Sequence, residues 1–170
     1  MEEEAVSCVM CGHALGAAQS GTVSYRSLPG TMLVGVEVRA CPNCGEEELS
    51  IPHMDALNSV LAHHVAGRSG RLTGPEIRFL RKHLGWSGAD FARFFQTARS
   101  TVSRWESGKQ NMDVRAEQLL RLSATRLEPI TDYAEVERLL LLPAREATAA
   151  RAVSARWQGE VWKVATGHLR

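Results

Sequence analysis

Four cysteines in two Cys-x-x-Cys units constrain this 170-residue chain more than any other feature. They are Cys8 and Cys11, then, after 29 intervening residues, Cys41 and Cys44, and they are all the cysteines present. A Cys-x-x-Cys lets two thiolates converge on one ion from a tight turn. Gly12 and Gly45 follow the two units, where the chain must bend without a Cβ penalty, and Pro42 stiffens the second turn. Between the units, Val23 and Tyr25 alternate with Ser24 and Arg26, and Val34, Val36 and Val38 alternate with Gly35, Glu37 and Arg39. Period-two alternation predicts strands, and Pro29-Gly30 predicts the turn that makes them an antiparallel hairpin.

A hairpin between two such knuckles is the zinc-ribbon arrangement. Four thiolates complete a tetrahedral shell, which suits a structural Zn2+ and leaves no open position for catalysis. Iron in the same sulfur shell and four buried, unligated cysteines are the other readings. A redox pair is disfavoured because no βαβ unit accompanies it. The hairpin holds few large apolar residues, so metal binding would supply much of its folding free energy. His13 reads as a solvated loop residue, and His53, His63, His64, His83 and His168 show no paired ligand spacing.

Helical signals follow. Pro52 opens a helix whose apolar stripe is Met54, Leu57, Val60, Leu61, His64 and Val65. Residues 67–71, with two glycines and a serine, read as a linker or helix stop. Thr73 and Glu76 have capping-box spacing before Ile77, Leu80 and Leu84; Ser87 and Asp90 repeat it before Phe91, Ala92 and Phe95. A break near Gln96-Thr97 leads to a third helix from Arg99 to Ser107, ended by Gly108. Further helices are expected over 114–127 and 131–142, ended by Pro129 and Pro143. Trp157 and Trp162, five apart across Gly159, do not share a helix face and would form a short strand or anchor the tail. The expected division is a zinc-ribbon domain with its following helix over 1–67, a DNA-binding domain over 68–127, and a C-terminal helical extension over 128–170. The fold class is mainly α with a small N-terminal β zinc ribbon, the second of two small domains being a helical bundle.

Charge follows the same partition. Residues 1–67 carry 2 Lys+Arg against 8 Asp+Glu; residues 68–127 carry 12 against 5; residues 128–170 carry 6 of each. The net charge of +1 conceals this. A basic middle suits a polyanion, and an acidic N-terminal part must face away from DNA or meet another protein. The acidic start, Met1-Glu2-Glu3-Glu4, is unlike a secretory signal, and no apolar run approaches the roughly 20 residues of a membrane span. The expected location is a reducing cytoplasm.

A helix that enters the major groove needs short polar and Arg residues on one face and apolar residues behind. Residues 99–108 meet this. Val102 and Trp105 fall inward, and Ser100, Thr101, Ser103 and Arg104 fall outward. Arg104 suits a bidentate contact to guanine, and Ser100 and Thr101 suit a base or phosphate. Arg99 belongs to the same candidate surface, while Ser87 and Lys109 suit phosphates.

On these residues the chain resembles known families. Residues 73–122 look like a Cro/C1-type (Xre) helix-turn-helix, a lambda-repressor-like bundle. The pattern is carried by Ser87, Phe91-Ala92, Phe95 and Ser100 to Lys109, with Ser100, Ser103, Glu106 and Gly108 on the family's serine, glutamate and glycine positions. Gln96 replaces the usual turn glycine, Gly88 or Ala89 the usual glutamine, and Met112 the usual proline. The resemblance implies that Glu106 is structural. Together with the N-terminal cysteine pairs, residues 5–125 resemble the MqsA-type (YgiT-type zinc finger) antitoxins. That resemblance implies a homodimeric repressor that autoregulates its operon on a palindromic operator and binds a toxin through the zinc domain. The family's base-reading Asn and Arg fall on Ser100 and Arg104. The alternative is a stand-alone Xre-type regulator with a structural zinc ribbon and no toxin. An enzyme is not expected, since no nucleophile–base pair, phosphate loop or open metal site is present.

Overall fold

The computed structural model of the chain describes residues 6–125 and 153–166. The helix expected over 131–142 lies outside them. The order is β1 (Gln19–Ser24), β2 (Thr31–Ala40), β3 (Glu47–Ser50), α1 (Met54–Gly67), α2 (Gly74–His83), α3 (Gly88–Phe94), α4 (Arg99–Glu106), α5 (Val114–Thr125), β4 (Val153–Trp157) and β5 (Trp162–Thr166). The fold is thus an N-terminal β region carrying the cysteine cluster, followed by a five-helix region containing the helix-turn-helix.

The expected hairpin is β1 against β2, antiparallel, with Gly30 at φ 83° in its turn. Its register is not the simple alternation expected. Gly21 pairs with Val36 and Thr22 with Val34, so Gly35 is an extra residue on β2, at φ 82°. A glycine bulge of this kind reverses which side chains face inward. Leu33 and Val36 are therefore buried, while Val34 turns to the other face and is only half-buried. A shared face for Val34, Val36 and Val38 is corrected by this one residue.

The second edge of β2 is divided between two strands. Its C-terminal half, Glu37 to Ala40, pairs antiparallel with β3. Its N-terminal half, Thr31 to Val34, pairs parallel with β4, which turns back into β5. The helical extension expected over 128–170 is thus corrected at 153–166, where the chain is a β-hairpin completing the N-terminal sheet. Val153, Ala155 and Trp157 alternate with polar neighbours, and Gly159 at φ 80° makes the turn. Trp157 and Trp162 are a cross-strand pair with ring centroids 5.5 Å apart. Trp162 Nε1 donates to the Pro52 carbonyl at 3.0 Å, and Trp157 stacks on His53 at 5.2 Å. The tryptophans therefore fasten the hairpin to the start of α1.

Helix α1 buries Leu57, Leu61, Ala62, Val65 and Ala66, packing on α2, α5 and β5. Tyr25 ties it to the sheet by donating to Asn58 Oδ1 at 2.7 Å. Its C-terminal carbonyls have no partner within the helix. The fully buried Arg121 of α5 supplies one. Its Nη1 donates to the carbonyls of Ala66 and Arg68 at 2.8 Å, and its Nη2 donates to Gly70 O at 2.6 Å. Glu117, one turn earlier, holds Arg121 at 2.9 Å and Arg71 at 2.6 Å, and accepts from the Leu72 amide at 3.0 Å. The segment read as a linker or helix stop, 67–71, does end α1 at Gly67, and it is gripped by buried charge.

Candidate metal cluster and nucleic-acid interface

The two knuckles are built alike. The Cys8 amide donates to the His13 carbonyl at 2.8 Å and the Gly12 amide to the Cys8 carbonyl at 2.8 Å. The Cys41 amide donates to Glu46 O at 2.8 Å and the Gly45 amide to Cys41 O at 3.0 Å. Gly12 and Gly45 take φ 73° and 74°, as each tight turn requires. This brings all four sulfurs within 4.8 Å of one another, with Cys8–Cys44 at 3.7 Å and Cys11–Cys41 at 3.5 Å. Sulfurs at the corners of a zinc tetrahedron, each ~2.3 Å from the ion, lie about 3.8 Å apart. The donor set and its spacing fit a metal ion such as zinc.

Electrostatics point the same way. Cys11 is lowered to about 6, first by the His13 backbone and then by the Asn43 side chain. For Cys44 the largest influence, the Glu46 backbone, lowers the pKa. Hydrogen bonding with Cys11, burial, and then Cys41 and Cys8 outweigh it, pushing the thiol up to about 12. One thiolate opposes the next in this cluster, and a cation among them would offset that repulsion.

In the helical region three helix ends share one device. After α2, Gly85 N–H donates to Lys82 O and Trp86 N–H to Arg81 O; after α4, Gly108 N–H donates to Trp105 O and Lys109 N–H to Arg104 O. After α3, Gln96 N–H donates to Arg93 O and Thr97 N–H to Ala92 O. Each is a Schellman ending, which places one residue in the left-handed region. Gly85 and Gly108 are suited to it, whereas Gln96 occupies it at φ 50° despite its Cβ. The turn thus keeps its geometry without the usual glycine.

Behind α4, Val102 and Trp105 are buried against Phe91 and Phe95, with Trp105 edge-on to Phe95 at 6.3 Å. Gly74 lets α2 approach closely, since a Cβ there would sit 2.5 Å from the Glu106 carbonyl oxygen. Glu106 is structural, as the resemblance implied. It accepts from Arg81 Nε at 2.5 Å and Arg78 Nε at 3.1 Å, tying α4 to α2. These two arginines were not singled out from the sequence, although their spacing from Ile77 and Leu80 places them beside the buried stripe of α2.

Among the described residues, the opposite face of α4 is largely exposed. Arg99, Ser100, Ser103 and Arg104 are exposed and Thr101 is half-buried. Spacings of three and four residues put Ser100, Ser103 and Arg104 on one side. Lys109 is exposed just past the helix end. Ser87 is exposed too, but its hydroxyl donates to Asp90 Oδ2 at 2.6 Å and accepts from the Asp90 amide at 3.1 Å. Those bonds, foremost the Ser87 side chain, hold the Asp90 carboxyl below its usual range. Arg93 pairs with the same carboxylate. The start of α3 is therefore more acidic than a bare phosphate contact at Ser87 would want.

A helix-turn-helix family of the Xre/Cro type matches residues 77–124. No curated protein and no solved structure matches the chain. The domain makes the chain a DNA-binding transcription regulator, a kind of protein that is typically non-enzymatic. Among the described residues no helix is long and apolar enough to cross a membrane.

Proposed function

We propose that the chain is a sequence-specific repressor that autoregulates its operon from the cytoplasm, binding a palindromic operator as a homodimer with α4 in the major groove. The observation that carries this is the division of α4 into a buried face, Val102 and Trp105, and an exposed face bearing Arg99, Ser100, Ser103 and Arg104. Arg104 reads guanine through two parallel hydrogen bonds. Ser100, Thr101 and Ser103 reach base edges or sugar–phosphate, and Arg99 and Lys109 fix register on phosphates. A single recognition helix contacts few base pairs, and a two-fold pair doubles them over a palindrome. The test is Arg104→Ala in a binding assay with selected and random duplexes. Specific binding is expected to fall by ~1–3 kcal/mol with little change on random DNA. Equal loss on both sinks the base-reading role.

In the same proposal Cys8, Cys11, Cys41 and Cys44 hold a structural zinc, and the acidic sheet module docks a basic toxin, antitoxin fashion. Support for a docking face comes from a concavity of about 650 Å³ on the sheet, lined in part by Val23, Glu46, Glu47 and Leu49. The knuckle residues Val9 and Met10 are also exposed. A second reading, a stand-alone regulator with a scaffold sheet, is favoured by the fastening of β4 and β5 to β2 and Pro52. Co-purification with the product of an adjacent, co-transcribed reading frame separates the two.

A further inference from the structure

Arg26 lies in the turn between β1 and β2, remote in sequence from the helix-turn-helix, yet the fold sets it opposite α2. A cavity of about 210 Å³ lies between them, with Arg26, Ser27 and Pro29 on one side and Pro75, Arg78 and Lys82 on the other. Arg78 and Lys82 are one helical turn apart and share a side of α2. All three cations are exposed. Glu106 is the carboxylate of this wall, and it is already divided between Arg78 and Arg81. Arg26 also borders the concavity of Glu46 and Glu47. Among the described residues, however, neither it nor Lys82 forms an ion pair. Three cations from two separate modules therefore face a space holding about seven waters' volume, with little negative charge to balance them. Such a cleft suits an anion with several oxygens. Glu106 is on the last turn of α4, so the cleft adjoins the C-terminal end of the helix assigned to the groove.

We propose that this cleft binds a DNA backbone phosphate flanking the base-read site, with Arg26 as the contact supplied by the sheet module. The inference rests on the DNA-reading role of α4 and lengthens its footprint. It gives the sheet a part in DNA binding that is independent of any protein partner. Arg26 is the one arginine of the β1–β2 turn, and it is exposed.

The test uses the full chain and duplexes it selects from a random library. Affinity is measured against salt for the native chain, Arg26→Ser and Arg26→Lys, on the selected site with long and with trimmed flanks. Arg26→Ser is expected to shallow the log–log salt slope by about 0.9 per protomer. Over a fourfold salt change its affinity then falls less than the native chain's by roughly 3.5-fold per protomer, about 12-fold for the homodimer. Preference for the selected over a scrambled site stays constant, Arg26→Lys keeps the native slope, and trimming the flanks removes the difference. An unchanged slope in Arg26→Ser, with site preference intact, overturns this inference alone. That holds equally if inorganic phosphate shifts the NMR signals of Arg26 and Lys82, which would assign the cleft to a free anion. Failure of the native chain to select any duplex overturns the proposed function itself.

Discussion

Replacing Arg121 with methionine would show how much of the fold hangs on one guanidinium. Methionine keeps much of the aliphatic volume and loses every donor. The carbonyls of Ala66, Arg68 and Gly70 would then lose their partner, and the buried Glu117 would keep only Arg71 and the Leu72 amide. Removing one partner of a buried ion pair costs ~3–5 kcal/mol. The remaining Arg71 contact places this case near the lower end, at about 3–4 kcal/mol. Helix α1 also loses a positive charge at its negative end, which acts in the same direction. At about 2–4 °C per kcal/mol, the melting temperature should fall by roughly 6–16 °C. Urea unfolding followed by far-UV dichroism measures the loss. A double-mutant cycle with Glu117→Leu should return a coupling above about 1 kcal/mol. A cost for Arg121→Met below about 1 kcal/mol, or additive effects, would mean that water replaces the guanidinium and that the buried network is not what joins α1 to α5.

Three further outcomes follow from the geometry. Gln96→Gly should raise stability by about 1 kcal/mol, because it relieves a left-handed side-chain-bearing residue at a Schellman position; a loss in chemical denaturation would show that Gln96 contributes more than its backbone costs. Chelation of the metal-loaded protein should disorder the two knuckles while helical dichroism, including that of α1, persists, since α1 packs on α2 and α5; simultaneous loss of both signals would refute this. His64 is held below its ordinary value by burial and then Arg68, against Glu76, and His83 by burial and then His63, against the Ala124 backbone. The unfolded chain takes up these protons near pH ~6.5 and the folded chain only at lower pH, so stability is fully present above that value and declines as pH falls below it. Urea midpoints across this range should show the decline, and His83→Gln should flatten it; an unaltered profile in the variant would exclude His83.

Local features were legible in the sequence, and features that depend on distant partners were not. The cysteine spacing, the Thr73 and Ser87 capping pairs and the polar face of α4 each depend on residues a few positions apart. The Gly35 bulge was hidden because valine and glycine alternate through it, and only pairing to β1 shows that β2 carries an extra residue. The C-terminal hairpin was hidden for a related reason: its partners are Thr31 to Val34 and Pro52, on the far side of the helical bundle in sequence. Alternation in 153–157, together with Gly159 between two tryptophans, was the available signal. Ser87 was correctly placed at a helix start, but the hydroxyl proposed for a phosphate is engaged by Asp90.

The divided edge of β2 also sets an order of events during synthesis. Residues 31–34 leave the ribosome about 120 residues before the strand that covers them, which at ~5–20 residues per second is a wait of roughly 6–24 s. Helices α1 to α5 emerge within that interval and can assemble from contacts already available. The sheet's open backbone edge meanwhile has no native partner, and a chain stalled in this window presents a β-strand template to its neighbours on a polysome. Arrival of β4 and β5 closes that window, so the hairpin acts as the last fastener of a fold whose helix-turn-helix is already in place.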